Sequence, residues 1–345
     1  MQPKELLTVS WKDNAVVMID QTKLPNKLTF VKCTTYEQVA GCIKRLVVRG
    51  APAIGVAAAF GLALAAIKSK AVNPSEVLVE LETAFKVLRN TRPTAINLFW
   101  ALERVMQKAK SQSSVRAIKN AVLNEASMMA EEDIQVNKQM GSFGASLIED
   151  GDSVLTHCNA GALATVAYGT ALGVLRAANQ QGKRINVITT ETRPVLQGSR
   201  LTAFELKHDG IDVSVVPDTA VGSLIARGRI KKVIVGADRV LRTGHVFNKI
   251  GTYQVAVLAS KHNIPFYAAA PLSSFDLKSS PDQVTIEERS FDEVVMMGDR
   301  RVVPKGVRVF NPAFDVTPPE LISGIITEKG VLTPPYDMSI KMRLG

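Results

Sequence analysis

The sequence predicts an α/β protein of two domains, one mostly helical with a small sheet and one built on an open parallel sheet. At 345 residues the chain is longer than an average single domain. Beyond residue 150, short Val- and Ile-rich runs alternate with helical stretches, whereas the first third contains mainly longer helical segments. We place the N-terminal domain at residues 1–125 and the C-terminal domain at residues 126–345.

The N-terminal domain is predicted to be a mainly helical cap. Alternation of polar and apolar residues near 15–18 and 28–32 predicts two short strands. Residues 111–148 contain few glycines or prolines and are expected to carry the chain as helices into the second domain. Between these segments we predict four helices, at 36–48, 52–69, 74–88 and 95–109.

The C-terminal domain is predicted to be a Rossmann-like open sheet, because continuous Val and Ile runs separated by helices are typical of parallel strands covered on both faces. In such a sheet, ligands bind outside the carboxyl ends of the strands. The predicted strands are 153–156, 186–189, 213–216, 233–235 and 265–269, and the predicted helices are 162–179, 199–207, 221–226 and 248–262.

A net charge of +10 is compatible with nucleic-acid binding, but the distribution of the basic residues does not favour it. They form scattered pairs such as Lys183-Arg184 and Arg300-Arg301, with no aromatic residues between them. We expect no nucleic-acid partner, but a basic surface that attracts anionic small molecules. The longest apolar stretch, 51–67, is Ala- and Gly-rich and is interpreted as a buried helix, so no membrane partner is expected.

The cysteines and histidines predict neither a disulfide framework nor a metal site. Cys33, Cys42 and Cys158 form no metal-binding spacing and cannot all pair, which fits reduced thiols in the cytoplasm. The four histidines show no ligand spacing either. Because no strand is followed by the glycine fingerprint of dinucleotide sites, no nicotinamide cofactor is expected.

The segment RGAPAIG begins at Arg49 and has two interpretations. A proline at the first position of a helix, free backbone N–H groups and a guanidinium together make a seat for an anion. The alternative is a tightly packed core helix in which Gly55 and Gly61 only allow close contact.

Cys158 directly follows a predicted strand and precedes a predicted helix, where the helix dipole would lower the pKa of the thiol. The alternative is an inert, buried cysteine. His157 is its neighbour in an extended segment, so its side chain is expected on the opposite face and a Cys–His dyad is not predicted.

Asp238 follows an apolar run and two small residues, a setting that would raise the pKa of its carboxyl group and allow it to donate a proton. It could equally cap the loop or pair with Arg239. Asn248 and Lys249 are predicted at a helix start, where they would suit a phosphate or a sugar hydroxyl, although Lys249 could be a solvated surface charge.

Polar side chains are concentrated after the second predicted strand of the sheet, where they could orient a ligand or form a salt-bridged loop. In the N-terminal domain, Arg92 precedes a helix and is a further candidate, unless its loop only caps that helix. The side chains after the strand are Glu191, Arg193, Gln197 and Arg200.

Taken together, these segments resemble the methylthioribose-1-phosphate isomerase family. That family shares its fold with initiation-factor regulatory subunits and ribose-1,5-bisphosphate isomerases. The resemblance runs from about residue 11 to residue 335, in the family's order. It rests on RGAPAIG, RPTAINL, HCNAG, ETRPVLQGSRLTAFEL, GADR, NKIGTY, AAPLSSFD and FNPAFDVTPPELISGIITEKG.

The resemblance implies a cytoplasmic, cofactor-free homodimer that isomerises 5-methylthioribose 1-phosphate in methionine salvage. Cys158 and Asp238 would be catalytic. His245 departs from the family, which usually has an acidic residue there. The substrate would be bound by Arg49, Gly50, Ala51, Arg92, Gln197, Asn248 and Lys249.

Two alternatives follow from the same resemblance. The substrate could be a related pentose phosphate, either 5-deoxyribose 1-phosphate or ribose 1,5-bisphosphate, which differs at the 5-position. The protein could instead be a regulatory subunit of the initiation-factor type, although such a subunit would be expected to lack Cys158 and Asp238, and both are present.

Overall fold

A computed structural model describes residues 5–92 and 96–344. The chain forms two compact units, which confirms the α/β fold class. The first contains Met1–Gln139 and Ala160–Gly173, and the second contains Met140–Asn159 and Val174–Gly345. This grouping differs from the sequence-based boundary at residue 125, because one helix continues unbroken past that point, and because the chain returns to the first unit once.

The first unit contains a three-stranded antiparallel sheet, helices and a short 3-10 turn. Its strands are β1 (Val9–Lys12), β2 (Ala15–Ile19) and β3 (Phe30–Cys33), and its helices are α1 (Tyr36–Lys44), α2 (Ala51–Lys68), α3 (Pro74–Arg89), α4 (Ile96–Lys110) and most of α5 (Val115–Ala145).

Helix α2 is the core of the first unit. It is apolar on all sides, as expected of a helix surrounded by other elements. By length and hydropathy it could cross a membrane, but 72% of its residues are buried in the structure. Gly50 precedes it with φ of +93°, and a Cβ there would lie 2.4 Å from the backbone of Ala164. The buried-helix interpretation of this stretch is therefore confirmed.

The second unit is built on a seven-stranded sheet in the order β16-β15-β10-β7-β4-β5-β6, parallel except for β16. A second sheet of four strands has the order β11-β8-β9-β14. In chain order the elements are β4 (Ser153–Thr156), α6 (Ala171–Gln180), β5 (Asn186–Thr190), α7 (Ala203–His208), β6 (Asp212–Val216), α8 (Val221–Ala226), β7 (Lys232–Gly236), β8 (Arg239–Leu241), β9 (Val246–Lys249), α9 (Thr252–Lys261), β10 (Phe266–Ala269), β11 (Phe275–Asp276), α10 (Asp292–Val295), β12 (Met296–Met297), β13 (Arg300–Arg301), β14 (Phe314–Thr317), β15 (Gly324–Thr327), β16 (Gly330–Leu332) and α11 (Tyr336–Leu344).

Two predicted helices begin later than the sequence indicates. The helix expected from residue 162 starts at Ala171, because Gly169 turns the chain with φ of +86° and approaches the Gly161 backbone closely. The helix expected from residue 248 starts at Thr252, after Gly251 in the left-handed region. Asn248 therefore belongs to a strand.

Asp133 of α5 binds the segment 160–173, which belongs to the same unit. Its Oδ2 accepts a hydrogen bond of 2.7 Å from the Val166 N–H. Burial raises the pKa of the Asp133 carboxyl group to about 7. Over about pH 4 to 7 the folded protein therefore keeps a proton that the unfolded chain has lost, so the free energy of unfolding falls as pH rises through this window.

We expect Asp133→Asn to flatten this pH dependence, since the amide oxygen still accepts from Val166 and carries no charge. Urea unfolding at several pH values between 4 and 8 measures the slope, with Glu131→Gln on the exposed face of the same helix as control. An unchanged slope in Asp133→Asn would show that another group is responsible.

Candidate active site

The carboxyl ends of three neighbouring strands bring together three of the predicted site residues. Strand β4 lies between β7 and β5 in the sheet. Cys158 follows β4, Asp238 follows β7 and Gln197 follows β5. Because parallel strands end at the same edge, all three lie at the edge of the sheet where open α/β proteins bind ligands.

Cys158 occupies a constrained turn, with φ of +65°. Its N–H donates to Thr192 Oγ1 at 2.9 Å, and its carbonyl accepts from Thr202 Oγ1 at 2.7 Å. These two threonines hold the backbone on both sides of a partly buried thiol. Sequence reasoning singled out neither threonine, although both belong to the segment ETRPVLQGSRLTAFEL that it quoted.

The expectation that Cys158 directly precedes a helix is wrong. The next α-helix, α6, begins at Ala171. The dipole of that helix therefore cannot be used to argue for a lowered thiol pKa, since the effect is limited to the first turn.

The other two thiols lie in the first unit, 3.6 Å apart between their Sγ atoms. Cys33 is 1% exposed and Cys42 is 2% exposed. We therefore expect iodoacetamide to alkylate Cys158 first in the folded protein. Peptide mass spectrometry identifies the labelled residue, and the urea-unfolded protein, in which all three thiols react, is the control. Early labelling of Cys33 would contradict the burial described here.

His157 is buried, and both of its ring nitrogens have partners in the second unit. Nδ1 lies 2.7 Å from Thr190 Oγ1, and Nε2 lies 2.8 Å from the carbonyl oxygen of Ile250. Burial lowers the pKa of the imidazole below its usual value. The ring is therefore neutral near pH 7 and turned towards Thr190 and Ile250.

Asp238 lies in the short link between β7 and β8, and its N–H donates to the carbonyl of Phe247 at 2.9 Å. Asp238 as a whole residue is partly buried. The following residue, Arg239, has its guanidinium 3.4 Å from Asp276, and burial lowers the pKa of this guanidinium.

Asn248 and Lys249 are buried strand residues rather than residues of a helix start. They belong to β9, which pairs with β14. Asn248 Nδ2 donates to Thr252 Oγ1 at 3.0 Å. Lys249 Nζ donates to the carbonyl of Ala313 at 2.7 Å and lies 4.5 Å from the centre of the Phe314 ring. The solvated-surface alternative for Lys249 is therefore wrong.

Asp315 was not singled out from the sequence, yet it fixes the turn after Lys249. Its carboxylate accepts from the N–H groups of Gly251 at 2.7 Å and Tyr253 at 3.1 Å. Burial raises the pKa of Asp315 to about 6. A carboxylate that accepts N–H groups at the start of α9 acts as a helix cap.

Gln197 is 6% exposed, and among the described residues its Oε1 has no hydrogen-bond partner. A buried acceptor without a partner costs free energy unless a ligand or water satisfies it. Gln197 therefore has the character of a ligand-binding group.

The remaining candidates belong to the first unit. Arg49 donates from Nε to Gln21 Oε1 at 3.2 Å. Gly50 is the residue before α2, and Ala51 begins the helix, which has a proline in its first turn. Free N–H groups at this helix start fit the predicted anion seat. Arg92 is partly buried, and the next three residues of the RPTAINL segment, Pro93, Thr94 and Ala95, lie outside the described residues.

Comparison with known proteins decides the family. A model described as the initiation factor 2 subunit family matches residues 47–334. A protein of Fervidobacterium nodosum named methylthioribose-1-phosphate isomerase is 53% identical over 338 residues, covering 97% of each chain. This chain belongs to the methylthioribose-1-phosphate isomerase family. The resemblance drawn from the motifs is thereby confirmed.

Solved structures of the family have the same fold. The crystal structure of 5-methylthioribose 1-phosphate isomerase from Pyrococcus horikoshii is 46% identical, covers 99% of this chain and 97% of its own, and has a TM-score of 0.93. A structure described as translation initiation factor eIF-2B, subunit delta, from A. fulgidus is 50% identical, covers 98% and 99%, and has a TM-score of 0.89.

In this member of the methylthioribose-1-phosphate isomerase family, residues 5–92 and 96–344 contain no group of three or more His, Cys, Asp or Glu side chains that could hold a metal ion.

Proposed function

We propose that this protein interconverts 5-methylthioribose 1-phosphate and 5-methylthioribulose 1-phosphate in methionine salvage. The observation that carries the proposal is identity above 50% over nearly the whole chain with proteins named methylthioribose-1-phosphate isomerase. The thiol of Cys158 and the carboxyl group of Asp238 follow neighbouring strands, as a pair acting on one small substrate requires.

The chemistry of the substrate sets the demands on the site. A phosphate on the anomeric oxygen prevents the spontaneous ring opening of a free aldose, so the ring oxygen needs a proton as the ring opens. We assign this donation to Asp238, in its protonated form. Cys158 then takes part in moving hydrogen from C2 to C1. The C2 hydroxyl loses its proton as it becomes the ketone carbonyl, which balances the proton that Asp238 gives to the ring oxygen.

Binding of the substrate is assigned to the remaining candidates. The guanidinium of Arg49 and the free N–H groups at Gly50 and Ala51 suit the phosphate oxygens. Lys249 supplies a buried positive charge. Gln197 Oε1, which has no hydrogen-bond partner in the described part of the chain, suits a sugar hydroxyl. Arg92 and Asn248 complete the proposed set.

Two features of the proposal go beyond the reaction. We propose a cytoplasmic location and a homodimer in solution. Light scattering during gel filtration tests the homodimer, for which twice the chain mass of 37.3 kDa is expected. A mass of one chain would overturn it.

Phosphorus NMR tests the activity directly. With 5-methylthioribose 1-phosphate, the signal of the anomeric phosphate is expected to be replaced by that of a primary ketose phosphate. Parallel samples contain 5-deoxyribose 1-phosphate or ribose 1,5-bisphosphate. Faster conversion of either sugar would transfer the proposal to that substrate. Deuterium at C2 separates the two routes of hydrogen transfer, since loss of label to water excludes a pure hydride shift.

A second function is favoured by one observation, the 50% identity to the structure described as an initiation-factor subunit. A regulatory subunit would bind partner chains without turnover. A folded protein that converts none of the three sugars would support this alternative.

A further inference from the structure

We propose that His157, Thr190 and Thr192 form a hydrogen-bond relay that positions Cys158, and that His157 and the two threonines are positioning residues for the isomerisation. The inference rests on the proposed function and extends it to side chains outside the predicted site. Each group of the relay belongs to the second unit.

The relay consists of four consecutive contacts. The Cys158 N–H lies 2.9 Å from Thr192 Oγ1, which lies 3.0 Å from Thr190 Oγ1. Thr190 Oγ1 lies 2.7 Å from His157 Nδ1. His157 Nε2 lies 2.8 Å from the carbonyl oxygen of Ile250. The two threonines and the histidine are almost completely buried, at 0% to 2% exposure.

The direction of every hydrogen bond follows from the two ends. The Ile250 carbonyl can only accept, so Nε2 carries the hydrogen. In a neutral ring Nδ1 is then an acceptor, and the Thr190 hydroxyl donates to it. Thr190 Oγ1 consequently accepts from the Thr192 hydroxyl, whose alternative acceptor, the Thr190 carbonyl, is farther away at 3.4 Å. Thr192 Oγ1 therefore accepts from the backbone N–H of Cys158, which can only donate.

The surroundings of the ring favour the neutral form that the relay requires. Burial lowers the pKa of His157 and outweighs the Ile250 hydrogen bond and the Asp218 charge, which raise it; the positive charge of Lys249 acts with burial. Asp218 also accepts the N–H groups of Thr192 and Arg193, at 2.8 and 2.7 Å. The carboxylate thus holds the threonine end of the relay in place.

The relay holds Cys158 in a backbone conformation that it would not otherwise favour. The left-handed region is unfavourable for a residue other than glycine, and the Thr192 contact offsets part of that cost by holding the N–H. A backbone N–H does not release its proton, so the chain of contacts positions the thiol and does not carry protons to it.

At its other end the relay reaches the turn that follows Lys249. Ile250 connects Lys249 to Gly251, and a Cβ on Gly251 would lie 3.0 Å from His157 Cε1. Glycine at this position therefore leaves room for the ring. The contacts of His157 thus connect the turn that carries Cys158 with the turn that follows Lys249.

The test compares Thr190→Val and Thr192→Val with Thr190→Ser and Thr192→Ser in the full-length protein. Valine keeps the shape and removes the hydroxyl, whereas serine keeps the hydroxyl. We expect each valine variant to lower kcat by about ten-fold or more with KM little changed, since small displacements of catalytic groups cost up to ~100-fold. The serine variants should retain kcat. Thr189→Val, a buried strand neighbour outside the relay, is the matched control.

Two readouts need no substrate. The rate of alkylation of Cys158 should change in the valine variants and remain as in wild type in the serine variants. Nitrogen-15 NMR of the wild-type protein should show His157 protonated on Nε2 and not on Nδ1. Protonation on Nδ1 would overturn the proposal, as would wild-type kcat and alkylation rate in Thr192→Val.

The outcomes separate this inference from the proposed function. A wild-type protein that converts no sugar removes the proposed function, while alkylation and NMR still decide on the relay. If circular dichroism shows that a valine variant does not fold, the tautomer of His157 in the wild-type protein still tests the relay.

Discussion

Replacing Cys158 by serine is expected to reduce conversion of 5-methylthioribose 1-phosphate by about 1,000-fold or more, and Asp238→Asn by a factor of about 100 to 10,000. Serine is nearly the same size but holds its proton far more strongly than a thiol. Asparagine keeps the shape of Asp238 and cannot donate an acidic proton to the ring oxygen.

Phosphorus NMR under single-turnover conditions measures both variants with excess enzyme. Cys42→Ala controls for loss of a thiol elsewhere, and Asp212→Asn, at the exposed start of β6, controls for loss of a carboxylate. Both controls should convert the sugar at the wild-type rate. If Cys158→Ser converts the sugar at a rate within ten-fold of wild type, Cys158 takes no part in the chemistry. A rate within ten-fold for Asp238→Asn would exclude Asp238 in the same way.

The second large effect concerns stability. Glu205 is completely buried; its carboxylate contacts Arg176 Nη2 at 2.7 Å and accepts from Asn159 Nδ2 at 2.9 Å. Glu205→Ala leaves this buried guanidinium with Asp209 as its remaining carboxylate in the described network. Breaking a buried ion pair in this way costs about 3–5 kcal/mol, and we expect a loss of that size.

Urea unfolding followed by circular dichroism measures the change. The matched control is Glu149→Ala, because the Glu149 side chain is 85% exposed and lies 3.6 Å from Lys232. An exposed pair is worth about 0–1 kcal/mol, so this variant should unfold almost as wild type does. Equal stability of the two variants would show that the buried network contributes little. Because Asn159 follows Cys158, Glu205→Ala is also expected to lower activity in whatever fraction remains folded.

The strands of the main sheet could be predicted because burial on both faces requires uninterrupted Val and Ile, a pattern visible within a few residues. Cys158, Asp238 and Gln197 became candidates because each follows such a strand, whereas the roles proposed for them come from the resemblance to the family. The start of α9 could not be predicted this way. Asn248 is placed by pairing with Asp315, far along the chain, and that pairing overrides the local helical pattern.

The prediction of a helix directly after Cys158 was wrong for another reason. Residues 162–179 have helical composition, but Gly169 takes a backbone conformation that ends regular structure, and the sequence does not show which glycines do so. The relay through His157 was equally hidden. Its threonines belong to β5 and the turn after it, and the histidine to the turn after β4, so only their spatial arrangement reveals the contact.

The path of the chain between the two units also affects how the protein is made. Residues 160–173 belong to the first unit, where the Val166 carbonyl accepts from the Thr8 N–H and its own N–H donates to Asp133. A nascent chain that has left the ribosome only as far as residue 139 lacks these contacts. The first unit can therefore complete its contacts during synthesis only after part of the second has emerged, and the two cannot be separated by a single cut.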